Sequence, residues 1–166
     1  MLSSSLVSIV SPVFGCRECL PALVKAVEKA FEHSKLDWEL VLVDDRAVDE
    51  PWEIIEQLSL KNPKIHGVRL SRNHGQQLAI WAGLEVTKGD WIAVIDCDLQ
   101  DDPTIITDLH AQMVQDNVDA VIVSRGEWKD TAFRRFTSKV FYKLMKLLAG
   151  VEFRSDVGNF GLYSRR

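Results

Sequence analysis

Four carboxylates fall within seven residues in the stretch DCDLQDD, residues 96–102. They follow directly on the apolar run Trp91–Ile95, where packing alone has no use for so many like charges. In extended backbone, residues i and i+2 point to the same side, so Asp96 and Asp98 present two carboxylates to one spot. Such a pair repels unless a cation or a proton stands between its members. An oxygen-only donor set with no Cys-His cluster beside it suits a hard divalent ion, Mg²⁺ or Mn²⁺. Magnesium completes its shell with water and substrate phosphates, so the pattern points to a phosphate-bearing ligand. Asp101 and Asp102 have a plainer reading, as acids at the N-terminus of a helix begun by Pro103, where they complement its dipole.

A second acidic pair, Asp44 and Asp45, ends the apolar run Leu40–Val43, where an uncompensated charge is costly. Cys16 and Cys19 form a C-x-x-C pair, and Cys97 makes the cysteine count three. Zinc would need further ligands close by, so the expected state is reduced thiols near a helix start. The formal net charge is -4, which argues against a nucleic-acid partner. The charge is uneven: residues 125–166 carry 10 Lys/Arg and 4 Asp/Glu, leaving 10 and 20 for the rest. The basic tail is either a solvated helix face or a surface for something anionic. No run approaches the ~18 apolar residues of a membrane span. Met1–Ser5 lacks the features of a signal peptide, so the expected location is cytoplasmic.

The elements that must position these residues follow from periodicity. Leu6–Val10 reads as a strand stopped by Pro12 and Gly15, and residues 21–34 as a helix with Leu20, Leu23, Val24, Val27 and Phe31 on one stripe. Leu40–Val43 is a second strand. Pro51 opens a helix with Ile54, Ile55 and Leu58 inward. Ile65–Leu70 is a third strand weakened by Gly67. Helix 76–86, strand Trp91–Ile95, a helix from Pro103 carrying Ile105, Ile106, Leu109 and Met113, and strand Ala120–Val123 continue the alternation. A long helix is expected over Phe133–Leu148 and a last strand over Phe160–Tyr163. Alternating strands and helices with two-faced apolar strands predict an α/β fold, Rossmann-like, with a mostly parallel central sheet flanked by helices. Ligands bind such sheets at the carboxyl ends of the strands. Pro12 and Phe14, Asp44 and Asp45, residues 71–74, Asp96 and Asp98, and Arg125 all lie at those ends.

The ordered set VSIVSPVFG, LVLVDD, RLSRNHGQQLAIWAGLEVTKGDWIAVIDCDLQDDP and DVGNFGLYSR resembles the family 2 inverting glycosyltransferases. The similarity is to the branch with dolichyl-phosphate mannose synthase and the undecaprenyl-phosphate glycosyltransferases, and it runs along essentially the whole chain. The resemblance implies a GT-A domain over 1–166. Residues 1–100 would form the nucleotide-sugar half, and 101–166 the start of an acceptor half that members of this branch continue further. By the same analogy Pro12 and Phe14 flank the nucleotide, and Asp44 or Asp45 reads the base or ribose. Asp98 binds the metal on the diphosphate with Asp96 helping and Gln100 close to the ion. Arg72, Gln76 and Arg125 are candidates on the donor. Two positions depart from the family. The Asn-Glu that often follows the first strand is replaced by Phe14-Gly15-Cys16-Arg17-Glu18. The Gly-Asp-Phe near the end is here Gly158-Asn159-Phe160, which leaves Asp156 as the candidate base.

The implied reaction is a displacement at the anomeric carbon, with inversion, from a nucleotide sugar. A UDP-sugar is expected ahead of a GDP-sugar. The implied acceptor is a polyprenyl phosphate at the inner face of the membrane, in cell-wall or polysaccharide synthesis. An ionised phosphate acceptor needs little help from a base, which makes Asn159 tolerable. The rivals are a nucleotide-sugar-binding module that has lost catalysis and a receiver-type signalling domain. The second fits poorly, because its acidic strand end belongs to the first strand and here it follows the second. A nucleotidyltransferase would need a Gly-rich basic loop that SPVFGCRECL does not supply.

Overall fold

The computed structural model describes residues 5–124 and 157–165. The helix expected over Phe133–Leu148, together with Arg125 and Asp156, lies outside the described residues. The chain divides into two compact units, Met1–Val121 with Asn159–Arg166, and Ile122–Gly158. The site described below belongs to the first.

Among the described residues, β1 (Leu6–Val13), β2 (Asp37–Asp44), β3 (Ile65–Arg69), β4 (Trp91–Val94), β5 (Ala120–Ser124) and β6 (Val157–Ser164) form one sheet in the order β3-β2-β1-β4-β6-β5. The pairs β1–β2, β1–β4 and β2–β3 are parallel, and β4–β6 is antiparallel. The α/β class and the mostly parallel sheet are as the sequence predicts. Helices α1 (Leu20–Phe31), α2 (Trp52–Lys61), α3 (Gln76–Leu84) and α4 (Ile105–Asp116) supply the crossovers.

Strands β1 and β2 are buried on both faces: Val7, Ile9, Val10 and Val13 of β1, and Leu40–Val43 of β2. That is why they read as unbroken apolar runs. Helix α1 buries the stripe expected of it, Leu20, Leu23, Val24, Val27 and Phe31. Helix α4 buries Ile106, Leu109 and Met113 and stops at Asn117, which takes the left-handed conformation that ends many helices. In α2 only Ile55 is fully buried, with Ile54 and Leu58 half-buried.

Three local expectations change. Pro12 does not stop β1; it pairs in register with Val43. It lies beyond the last β1–β4 pair, Val10 with Val94, so its missing N–H interrupts no ladder on that side. Gly67 does not weaken β3 but makes room for α2, since a Cβ there would stand 2.7 Å from Ile55 Cγ2. Helix α3 is apolar nearly all round, so its sequence does not mark the buried side. Contact does: Ala79 and Gly83 face the sheet, and a Cβ on Gly83 would lie 2.5 Å from Val10 Cγ1. Close seating of α3 on β1 and β2 brings its first residue, Gln76, to the open end of the sheet.

Candidate active site

Four segments meet past the carboxyl ends of the strands and enclose a cavity of ≈ 560 Å³. The end of β1 and its turn contribute Pro12, Phe14 and Cys16. The turn after β2 contributes Asp45, the β3–α3 loop and α3 contribute Asn73, Gly75 and Gln76, and the turn after β4 contributes Asp96, Cys97 and Asp98.

Asp44 and Asp45 are adjacent but face different tasks. Asp45, 3% exposed, lines the cavity, and its two oxygens accept the backbone N–H groups of His74 (2.7 Å) and Gly75 (2.8 Å). It therefore shapes the β3–α3 loop as well as charging the wall. Asp44, 1% exposed, is turned away: one oxygen accepts the Ala47 N–H at 3.1 Å and the other pairs with Arg69 Nε at 3.2 Å. The same guanidinium lies 5.5 Å from the Trp52 ring centroid. Asp44 is not among the cavity walls.

Asp96 follows β4 closely, and its Oδ1 accepts a hydrogen bond from Gln76 Nε2 at 2.8 Å. Asp98 is exposed and accepts the Gln100 N–H at 3.1 Å, across Leu99 in the left-handed region (φ 63°). The Gln100 side chain is exposed and is not part of the wall. Asp101 corrects the plainer sequence reading. It is buried and turned back, with its carboxylate 3.4 Å from the Asp96 N–H, rather than standing at the helix end. Asp102 does sit in the turn leading into α4. It accepts the Thr104 N–H at 2.9 Å, and that bond holds its carboxyl below the ordinary value.

Around the β1 turn, Phe14 is 55% exposed on the wall of the cavity. Cys16 Sγ donates to the Cys97 carbonyl at 3.5 Å. Burial pushes the Cys16 and Cys97 thiols up, so both stay protonated, and all three cysteines are free. The turn is pinned by Arg17. Its N–H donates to Asp49 (2.8 Å), and its guanidinium reaches the Glu50 carbonyl (2.9 Å) and Glu53 (3.1 Å). Glu18 is exposed and lines no part of the cavity. Arg72 is exposed in the β3–α3 loop and is likewise absent from the walls. The sequence placed Asn73 at a strand end within residues 71–74 but gave it no role; it is a wall residue whose Oδ1 accepts the Gly75 N–H at 2.9 Å. The signal was there in the Asn-x-Gly spacing, a pattern of side-chain-to-backbone turns.

The chemistry of the walls is two-sided. Phe14 and Pro12 offer apolar surface, and Asp96 and Asp98 offer hard oxygen donors. Among the described residues no group of three or more His, Cys, Asp and Glu is placed to hold a metal. Two carboxylates in an open cavity still fit a cation that takes its remaining ligands from water and phosphate, as Mg²⁺ and Mn²⁺ do.

The sequence model of Glycosyl transferase family 2 matches residues 8–166. The chain belongs to that family. Among its family relatives, the undecaprenyl-phosphate 4-deoxy-4-formamido-L-arabinose transferase of Pseudomonas savastanoi pv. phaseolicola is 39% identical, over 92% of this chain and 45% of the relative. The bactoprenol glucosyl transferase of Shigella phage SfX is 33% identical, over 96% of this chain and 52% of the relative. The chain thus spans about half the length of the curated relatives it matches. The fold is shared with the glucosyl-3-phosphoglycerate synthase of Mycobacterium tuberculosis, solved with Mn²⁺, UDP and glucosyl-3-phosphoglycerate. That likeness has a TM-score of 0.65 at 19% identity, over 97% of this chain and 57% of the other. The GT-A arrangement expected from the sequence is the one observed.

Proposed function

We propose that this family 2 chain binds a nucleotide sugar in the cavity and serves its transfer, with inversion, to a polyprenyl phosphate. The observation that carries the reading is the sharing of one cavity by Asp96, Asp98, Asp45, Phe14 and Pro12. A nucleoside diphosphate has both an apolar planar part and a charged part. Phe14 and Pro12 suit the first. Asp96 and Asp98, with Gln100 beside them, would hold Mg²⁺ or Mn²⁺ for the second; when bound, the ion stabilises the negative charge of the departing diphosphate. By the family resemblance Arg72 and Arg125 are assigned to the same charge. Asp45 is assigned to the base or ribose. Residues 1–100 act as the donor half and 101–166 begin the acceptor half.

The polyprenyl phosphate acceptor is supported by the names of the two relatives, an undecaprenyl-phosphate 4-deoxy-4-formamido-L-arabinose transferase and a bactoprenol glucosyl transferase. An acceptor that is already an anion needs little deprotonation, which suits a chain with Asn159 where the family resemblance leads one to expect Asp. Asp156 is assigned as the base if one is used. No helix among the described residues is long and apolar enough to cross a membrane. The proposed place of action is the cytoplasmic face of the membrane. The binding-only reading is kept by one observation, Asn159 itself.

Calorimetric titration with UDP, GDP and their sugars, with and without Mn²⁺, is the test. Metal-dependent binding of one nucleotide series is expected. Equal affinity in EDTA would overturn the metal assignment. Binding without any sugar transfer to a short-chain polyprenyl phosphate would favour the binding module.

A further inference from the structure

Gln76 and Asp96 are 20 residues apart in the chain, yet they form the 2.8 Å hydrogen bond that joins α3 to the end of β4 inside the cavity. Both positions are set by packing and hydrogen bonds around them. Asp96 sits two residues past Val94, held by the β1–β4 pairing. Gln76 opens a helix whose Gly83 is pressed against Val10 and Val43, with hypothetical Cβ distances of 2.5 and 2.9 Å. Just before Gln76, the loop is clamped by Asp45 through the His74 and Gly75 N–H groups. The fold therefore brings the Gln76 amide to the Asp96 carboxylate from the direction of α3.

The type of donor matters. An arginine or lysine here would orient Asp96 but also cancel its charge, and would compete with a cation for it. A primary amide orients the carboxylate plane and leaves the negative charge in place. Carboxylates that ligate metals are commonly held by such hydrogen-bonded partners, and loss of the partner typically costs 10–100-fold in metal affinity.

We infer that Gln76 is a positioning residue: it sets the Asp96 carboxylate for the divalent cation, and Asp45 sets Gln76 through the intervening loop. This rests on the metal reading of the cavity and gives Gln76 a role other than touching the donor. It also couples the two ends of the cavity, because the residue assigned to the nucleoside and the residue assigned to the metal are linked through the start of α3.

The test is a Mn²⁺ titration in the presence of saturating UDP or GDP, whichever the wild-type chain binds, read by the electron paramagnetic resonance of free Mn²⁺. Gln76→Ala removes the side chain, and Gln76→Met keeps its volume while removing the donor. Both are expected to raise the Mn²⁺ concentration for half-saturation by about 10-fold. Excess Mn²⁺ restores nucleotide affinity, and the thermal midpoint measured without metal is unchanged because Gln76 is exposed. A titration indistinguishable from wild type overturns the inference. So does a loss of nucleotide affinity that persists at excess Mn²⁺, which makes Gln76 a direct donor contact and leaves the proposed function standing. A wild-type chain that binds nucleotide without Mn²⁺ dependence fails the metal reading itself, and the inference falls with it.

Discussion

The two ends of the central sheet each bury a carboxylate, and they use it in opposite ways. Near the start of β2, Glu39 is 5% exposed and closed in by partners. One oxygen accepts the Ser8 hydroxyl (2.5 Å) and the Lys88 N–H (2.6 Å), and the other lies 3.4 Å from His66 Nε2. Ser8 Oγ in turn accepts the Gly89 N–H at 2.7 Å. This network ties β1, β2, β3 and the turn before β4 together, and Glu39 is not among the residues lining the cavity. Roughly 20 Å along the same strand, past its other end, Asp45 holds a loop and faces a cavity shared with Asp96 and Asp98. Burial of acid is common to both ends. What separates them is whether the partners are all protein groups or leave room for a ligand.

That contrast can be broken at five positions. The largest effect belongs to Asp98→Ala. Losing a ligand should exceed the 10–100-fold cost of losing a ligand's partner, so metal-dependent nucleotide affinity is expected to fall by more than about 100-fold. Asp98 is exposed, so unfolding free energy should stay within about 0.5 kcal/mol of wild type. Calorimetry beside thermal unfolding checks both. Folding lost along with binding would put Asp98 in the same class as Glu39.

Glu39→Ala is the mirror experiment. It strands the Ser8 hydroxyl and the Lys88 N–H and removes the partner of His66, and should cost about 3 kcal/mol, or roughly 6–12 °C in Tm for a chain of this size. Nucleotide affinity of the folded fraction should not change. An unchanged Tm would mean that the Glu39 network is not a staple.

The adjacent pair gives a finer cut. Asp45→Asn keeps an acceptor for only one of the two loop N–H groups and should weaken nucleotide binding by about 10-fold, the equivalent of about 1.4 kcal/mol. Asp44→Asn breaks the Arg69 pair and should lower Tm while leaving affinity alone. Reversal of the two outcomes would reassign the nucleoside role to Asp44.

The smallest effect is on pH. The Thr104 N–H depresses the folded-state pKa of Asp102, so its contribution to stability is complete above the ordinary carboxylate value of about 4. It is lost as pH falls through the lower folded value. Asp102 is exposed, so Asp102→Ala should cost less than about 1 kcal/mol at pH 7. The gap to wild type should narrow as pH falls through that lowered value. Denaturant unfolding across pH reads this, and a gap that does not depend on pH would show that charge plays no part.

Much of this molecule was legible because the relevant information is local. Two-faced apolar runs named the central strands, a three-to-four-residue stripe named α1, and the carboxylates stood out because they end those runs. Ligand residues at strand ends follow from how a parallel sheet is covered, whatever the order of its strands. Where the reading stopped, the cause was a partner from a distant part of the chain. Glu39 lies inside a strand and shows no sign in sequence of the Ser8 and Lys88 groups that satisfy it.

The chain's own pattern therefore settled the class of fold, and it placed acidic residues at the strand ends where the cavity lies. It did not settle the sheet order, in which β6 enters antiparallel beside β4. That pairing is a long-range closure without a local signature. Nor did it separate Asp44 from Asp45, since neighbouring residues on a strand point to opposite sides and only the packed neighbours say which side holds the cavity. Asp101 read as a helix-end acid until the turn after β4 folded it back toward the Asp96 N–H. The Gln76–Asp96 bond exists only because Gly83 lets α3 sit directly on β1 and β2. Periodicity and strand ends are properties of a short stretch of chain; the partner of a buried polar group is a property of the packed whole.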